Sequence, residues 1–199
     1  MIKKIIICFV CLFMMGVSIT SVQAKRNHWK TEYIKFINKI ENEKRKTHAT
    51  EKIRYFLLDI NRDSIPELFI ENDVWLTDYR RSDIVLTSNN KKIDAWYYNL
   101  LISDLRYIPG KNKLYYHYEY KHISNDDIIT IKKGKFKFTG GMYPYNELST
   151  LKHYEWNNKK VSKKTYKKKL KAAFNMKKSR KIKGKFVSAS KIKKHIKAY

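Results

Sequence analysis

The chain has 199 residues, with 44 Lys or Arg against 18 Asp or Glu and a formal net charge of +26. Both cysteines, Cys8 and Cys11, sit in the first apolar segment, so residues 25–199 contain none. That excludes a disulfide scaffold and a catalytic thiol from the rest of the chain.

The first segment has Lys3 and Lys4 ahead of an apolar run from Ile5 to Met15, followed by Val22-Gln23-Ala24. A charged start, a short apolar stretch and a small-x-small site are the three parts of a secretory signal peptide, which gives residues 1–24 as a leader cleaved after Ala24. The apolar run is too short for a comfortable bilayer span. Neither cysteine has the Leu-x-Gly/Ala-Cys context of a lipoprotein. The expected product is a secreted, extracellular chain of residues 25–199 with net charge +24, long enough for one domain and not integral to a membrane after cleavage.

Trp29, Tyr33, Phe36, Ile37 and Ile40 recur at helical spacing among charged residues, which predicts an amphipathic helix from Asn27 to about Lys46. Short apolar runs of strand length follow at Tyr55–Leu58, Leu68–Ile70, Ile84–Leu86, Ile93–Tyr98 and Leu105–Ile108. Leu114 to Tyr120 places Tyr116, Tyr118 and Tyr120 on one side of a strand, and Tyr115, His117 and Glu119 on the other. Ile128–Ile131 and Lys135–Phe138 flank a hairpin signal at Lys132-Lys133-Gly134. Such a run reads as an antiparallel meander of about five to seven strands with one face packed and one wet. Ser162 can cap a helix whose apolar stripe is Tyr166, Leu170, Ala173 and Phe174, and a last helix should run from Ser190 to about Ala198. The expected fold class is therefore α+β: N-terminal helix, antiparallel β-meander, C-terminal helices.

One loop has metal-ligand spacing. Asp59, Asn61 and Asp63 alternate, the carbonyl of Ile65 follows, and Glu67 comes four residues after Asp63. Oxygens at these positions are how a tight loop wraps a hard cation such as calcium. Ser64 stands where such loops place a permissive glycine, and Ile70 where an EF-hand has its bidentate glutamate. The flanks read as strands, so this is a strand–loop–strand segment whose calcium site would be weak. The alternative is a polar turn whose Asp and Asn side chains bond local N–H groups.

Tyr55 to Leu68, with the Val161-Ser162-Lys163-Lys164-Thr165-Tyr166 helix start, resembles a group of uncharacterised secreted or lipid-anchored proteins of Gram-positive bacteria. That group combines an N-terminal helix, a Tyr-x-Leu-x-Asp-Ile-Asp/Asn-x-Asp-Gly-x-Pro-Glu-Leu segment and a meander. The resemblance implies an extracellular location and an EF-hand-like calcium loop carried by Asp59, Asn61, Asp63 and Glu67. It implies no reaction.

Catalytic patterns are sparse. No two of the six histidines form His-Glu-x-x-His, and there is no nucleophile elbow or glycine-rich phosphate loop. His117 with Glu119 and His122, and the carboxylate pairs Asp126/Asp127 and Asp73/Asp78, leave a carbohydrate-active or other secreted hydrolase as an alternative. Tyr115, Tyr116, Tyr118 and Tyr120, with Trp96, Tyr97 and Tyr98, are candidates for a stacking platform or for core packing.

The charge is uneven. From Trp156 to Tyr199 there are 18 Lys or Arg and no Asp or Glu. For an exported chain the fitting polyanions are anionic cell-wall polymers or the outer membrane surface, with no specific nucleic-acid partner. The favoured reading is a non-enzymatic extracellular protein, calcium-binding through the loop and associated with the envelope through residues 156–199. A secreted domain without an ion or polymer site is the plainest alternative.

Overall fold

The computed structural model describes residues 28–50, 52–72, 83–89, 91–98 and 103–199. The expected leader of residues 1–24, Asn27, Asp73 and Asp78 lie outside them. The fold is α+β and every strand pairing is antiparallel.

Helix α1, His28–Lys46, buries Trp29, Tyr33, Ile37 and Ile40, the stripe its spacing predicts. Strands β1 (Ile53–Leu58), β2 (Glu67–Asn72), β3 (Asp83–Ser88) and β4 (Ile93–Tyr98) form a four-stranded sheet in chain order. A second sheet has the order β10-β9-β8-β7-β6-β5-β11. Its members are β5 (Ser103–Tyr107), β6 (Lys113–Tyr120), β7 (Ile123–Ile131), β8 (Phe136–Pro144), β9 (Tyr154–Trp156), β10 (Lys159–Val161) and β11 (Arg180–Lys181). Helix α2, Lys163–Ala173, lies between β10 and β11, and α3, Ala189–Ala198, ends the chain.

Alternation along the strands sorts these elements into four layers. Tyr55, Leu68, Ile70, Ile84 and Leu86 face α1 and α3, meeting Tyr33, Ile37, Ile192 and Ile196. The intervening residues Phe56, Phe69, Val85, Trp96 and Tyr98 face the larger sheet, packing on Leu105, Leu114, Tyr116, Ile129 and Ile131. The outer face of that sheet carries Tyr115, Ile128 and Trp156 beneath Tyr166 and Phe174 of the α2 segment. The central runs of β2 and β3, Leu68 to Ile70 and Ile84 to Leu86, are apolar without alternation because both of their faces are covered.

Two expectations are corrected. The strands number eleven among the described residues and split into two sheets, because β9, β10 and β11 have two or three residues each and carry no readable pattern. The meander also has no uniformly wet face. α2 folds back over the side expected in water, and Tyr115 is as buried as Tyr116. The helix start is as expected: Ser162 Oγ accepts the N–H of Thr165 at 3.1 Å.

Candidate functional site

The loop between β1 and β2 closes on its own backbone. Asp59 accepts the N–H of Asp63 (3.2 Å) through Oδ1 and that of Ser64 (3.1 Å) through Oδ2. Asn61 Oδ1 also accepts the Asp63 N–H at 3.1 Å, and Asp63 Oδ1 accepts the Ile65 N–H at 2.9 Å. Asn61 Nδ2 donates to Asp63 Oδ2 at 2.9 Å. Ser64 takes the left-handed conformation, φ 68°, that the missing glycine would adopt at no steric cost. The three side chains therefore converge on the inside of one turn.

Glu67 enters from β2 and differs from the others. It is 1 % exposed, its Oε2 accepts the Ile60 N–H at 3.1 Å, and Thr87 Oγ1 donates to Oε1 at 3.3 Å. Burial, opposed by the Ile60 hydrogen bond and assisted by the charge of Asp63, raises its carboxyl to about 8. Among the described residues no three His, Cys, Asp or Glu side chains are grouped to hold a metal ion. A cation at the loop would draw on the Asn61 amide oxygen and the Ile65 carbonyl beside Asp59 and Asp63.

The second constellation is on the outer face of the larger sheet, where register sets His117 opposite Asp126. Asp126, 2 % exposed, takes three donors: Tyr115 Oη at 2.5 Å and His117 Nδ1 at 2.9 Å on Oδ1, and Tyr166 Oη at 2.8 Å on Oδ2. Burial opposes its charge, yet these hydrogen bonds hold it below the ordinary carboxylate range. The Asp126 hydrogen bond in turn raises the His117 imidazole. His117 Nε2 lies 3.7 Å from Glu119. The outcome is a histidine–carboxylate pair that, with the Tyr166 hydroxyl, ties β6, β7 and α2 together. The other expected partner is elsewhere, since His122 sits in the β6–β7 turn against Asn146 Nδ2 at 3.1 Å.

Asp126 and Asp127 do not form a working pair across a sugar ring. As neighbours on β7 they point to opposite faces, Asp126 under α2 and Asp127 toward the inner side. The aromatic platform is divided likewise. Trp96 and Tyr98 stack at 4.8 Å and meet Tyr116 edge-on between the sheets, Tyr115 lies on the far face, and Tyr97 and Tyr120 are exposed.

The basic region occupies two outer layers. Lys163, Lys164, Lys167, Lys168, Lys169 and Lys171 are exposed on α2, and Lys191, Lys194 and Lys197 on α3 at the opposite side of the molecule. Among the described residues the one ion pair made by a cation after Trp156 is Lys181 with Asp104, at 3.6 Å. No described helix is long and apolar enough to cross a membrane. Compared with known proteins, the chain matches no family model, no curated protein and no solved structure.

Proposed function

We propose a non-enzymatic extracellular protein that associates with anionic polymers of the cell envelope, such as those of the wall or the outer membrane surface, through the lysines of residues 156–199. The observation that carries this reading is their placement: α2 and α3 bury Tyr166, Ile192 and Ile196 and leave most of their lysines in water, with no ion pair to an acid among the described residues. Cationic groups of this density on two opposite faces attract polyanions without a shaped pocket, and they can bridge two chains. The leader-like segment supports export, and the resemblance of the Asp59–Glu67 segment supports a weak calcium site that works at extracellular ion levels.

Sedimentation with purified cell walls across a salt series tests the reading. Binding should fall steeply toward about 0.5 M salt as the charges are screened. Changing Lys163, Lys164, Lys167, Lys168, Lys171, Lys191, Lys194 and Lys197 together to glutamine should leave the protein in the supernatant, whereas single changes should each weaken binding slightly. Wild-type protein that stays soluble at low salt, or a glutamine variant that sediments equally, would end the proposal.

A further inference from the structure

The larger sheet is wider than the sheet packed on its inner face. β4 is the edge of the smaller sheet, and its Asp94 Oδ2 accepts the Phe136 N–H of β8 at 2.9 Å. Past that contact the inner face of β8 emerges from the core, and Phe138 is 54 % exposed with only its edge against Trp96, 6.1 Å away. The overhang forms an open cavity of about 300 Å³ whose side chains include Asn125, Asp127, Phe138, Met142, Asn157 and Asn158.

Its polar groups are built in but left unused by the fold. The side chains of Asn125, Asp127 and Asn158 make no hydrogen bond or ion pair among the described residues, although Asp127 is partly buried. Asn157 is fixed. Its N–H donates to Gly140 O at 2.7 Å, and its Oδ1 accepts from Gly140 N at 3.0 Å and from Thr139 Oγ1 at 2.8 Å, which leaves its NH₂ group as the free donor. The floor is bare of side chains at Gly140. A Cβ there would lie 2.9 Å from Asp127 Oδ1 and 2.2 Å from the Asp126 carbonyl, so only glycine lets the carboxylate rest over β8.

We propose that this overhang is a saccharide subsite that takes one or two neutral pyranose units. A sugar ring presents what these groups lack. Its hydroxyls donate to the carboxylate and accept from the amides, often in adjacent pairs, and its C–H face covers an exposed aromatic ring such as Phe138. The volume is at the lower end of ligand pockets, the size for a ring or two and not for a folded partner. The unpaired carboxylate repels phosphate and carboxylate ligands, so the site selects against the anionic polymers that suit the lysine faces. The inference stands without the envelope-binding reading, since none of its residues is a lysine.

Titration of the ¹⁵N-labelled protein with chitotetraose, cellotetraose and maltotetraose, followed by NMR, tests it. At least one probe should give saturable shifts centred on the side-chain amides of Asn125, Asn157 and Asn158, with a Kd on the order of 1 mM. Phe138→Ala and Asp127→Ala should each weaken that binding at least tenfold. Phe138 is largely outside the core, so its variant decides the matter even if Asp127→Ala does not fold. No saturable shift with any of the three probes up to about 20 mM, shifts centred elsewhere, or binding unchanged by Phe138→Ala would each overturn the proposal.

Discussion

Asp127→Asn should make the protein more stable at neutral pH and leave its stability unchanged in mild acid. Burial, and then the neighbouring Asp126 charge, raise Asp127 from 3.8 to about 6. A group with a raised folded-state pKa favours the fold while it is protonated. Its contribution is complete below about pH 4 and is lost as pH rises through about 6, where folding must hold an ionised carboxylate that prefers water. Two units amount to about 3 kcal/mol at most. Solvent reaches this carboxylate, so about 1–2 kcal/mol is the working figure. At roughly 2–4 °C per kcal/mol for a chain of this size, the asparagine variant should melt about 2–8 °C higher at pH 8. The titratable groups that act on Asp127 are Asp126, its neighbour on the strand, which stays ionised through this range, and the Tyr118 hydroxyl, which stays neutral. Differential scanning calorimetry of both proteins from pH 4 to 8 measures the difference. A Tm gap that is constant across the range, or one that closes as pH rises, would refute the reasoning.

Ser64→Gly should stabilise the chain by about 1 kcal/mol, read as a higher urea midpoint, because φ 68° costs a serine what it does not cost a glycine. Millimolar calcium should raise the wild-type Tm, and Asp59→Ala with Asp63→Ala should abolish that response. The same double change should also cost about 1–2 kcal/mol without calcium, because the N–H groups of Ser64 and Ile65 lose their acceptors; thermal melts with and without chelator separate the two effects. Tyr166→Phe removes the single hydroxyl donor that Asp126 and the Gly141 carbonyl share, and should lower stability by about 1.5–3 kcal/mol by denaturant titration.

Much of the fold was legible because it follows from period and punctuation. The stripe of α1, the Ser162 cap and the Lys132-Lys133-Gly134 turn are local facts. What covers a strand's second face is not local, and this is why the sequence leaves Tyr115 open between a stacking platform and core packing until α2 is placed above it. The His117–Asp126 pairing was within reach of the sequence in principle. A two-residue turn at Lys121-His122 fixes the register that puts 117 opposite 126, but both residues adopt positive φ without the Asn-Gly signal that marks such turns. The overhang was hidden for another reason. Gly140-Gly141 suggests a break in a strand, whereas here the strand runs through it and the missing side chains make room for Asp127 and for Tyr166, whose ring carbon would meet a Cβ at 141 at 2.8 Å.

The two signs of charge do different work in this molecule. The carboxylates are mostly consumed inside it: Glu67 by Ile60 and Thr87, Asp126 by two tyrosines and a histidine, Glu41 by the Tyr55 hydroxyl, Asp94 by the Phe136 N–H, and Asp104 by Arg106 and Lys181. Glu41, Asp94 and Asp126 each hold one layer to another, while Glu67 and Asp104 brace their own sheets, so these acids cannot also neutralise the outer helices. The lysines of α2 and α3 have the opposite character. They fix nothing in the core, and they repel one another across short helical spacings, which makes the compact state less stable than an equally patterned helix with mixed charge would allow. A helix needs only its apolar stripe and its cap to dock, and Tyr166, Leu170 and Ser162 already supply both. Glutamates interspersed among Lys163 to Lys171 would have kept solubility and relieved that repulsion. The fold thus carries an electrostatic cost that its own architecture does not require, and a polyanion bound to those faces is what would remove it.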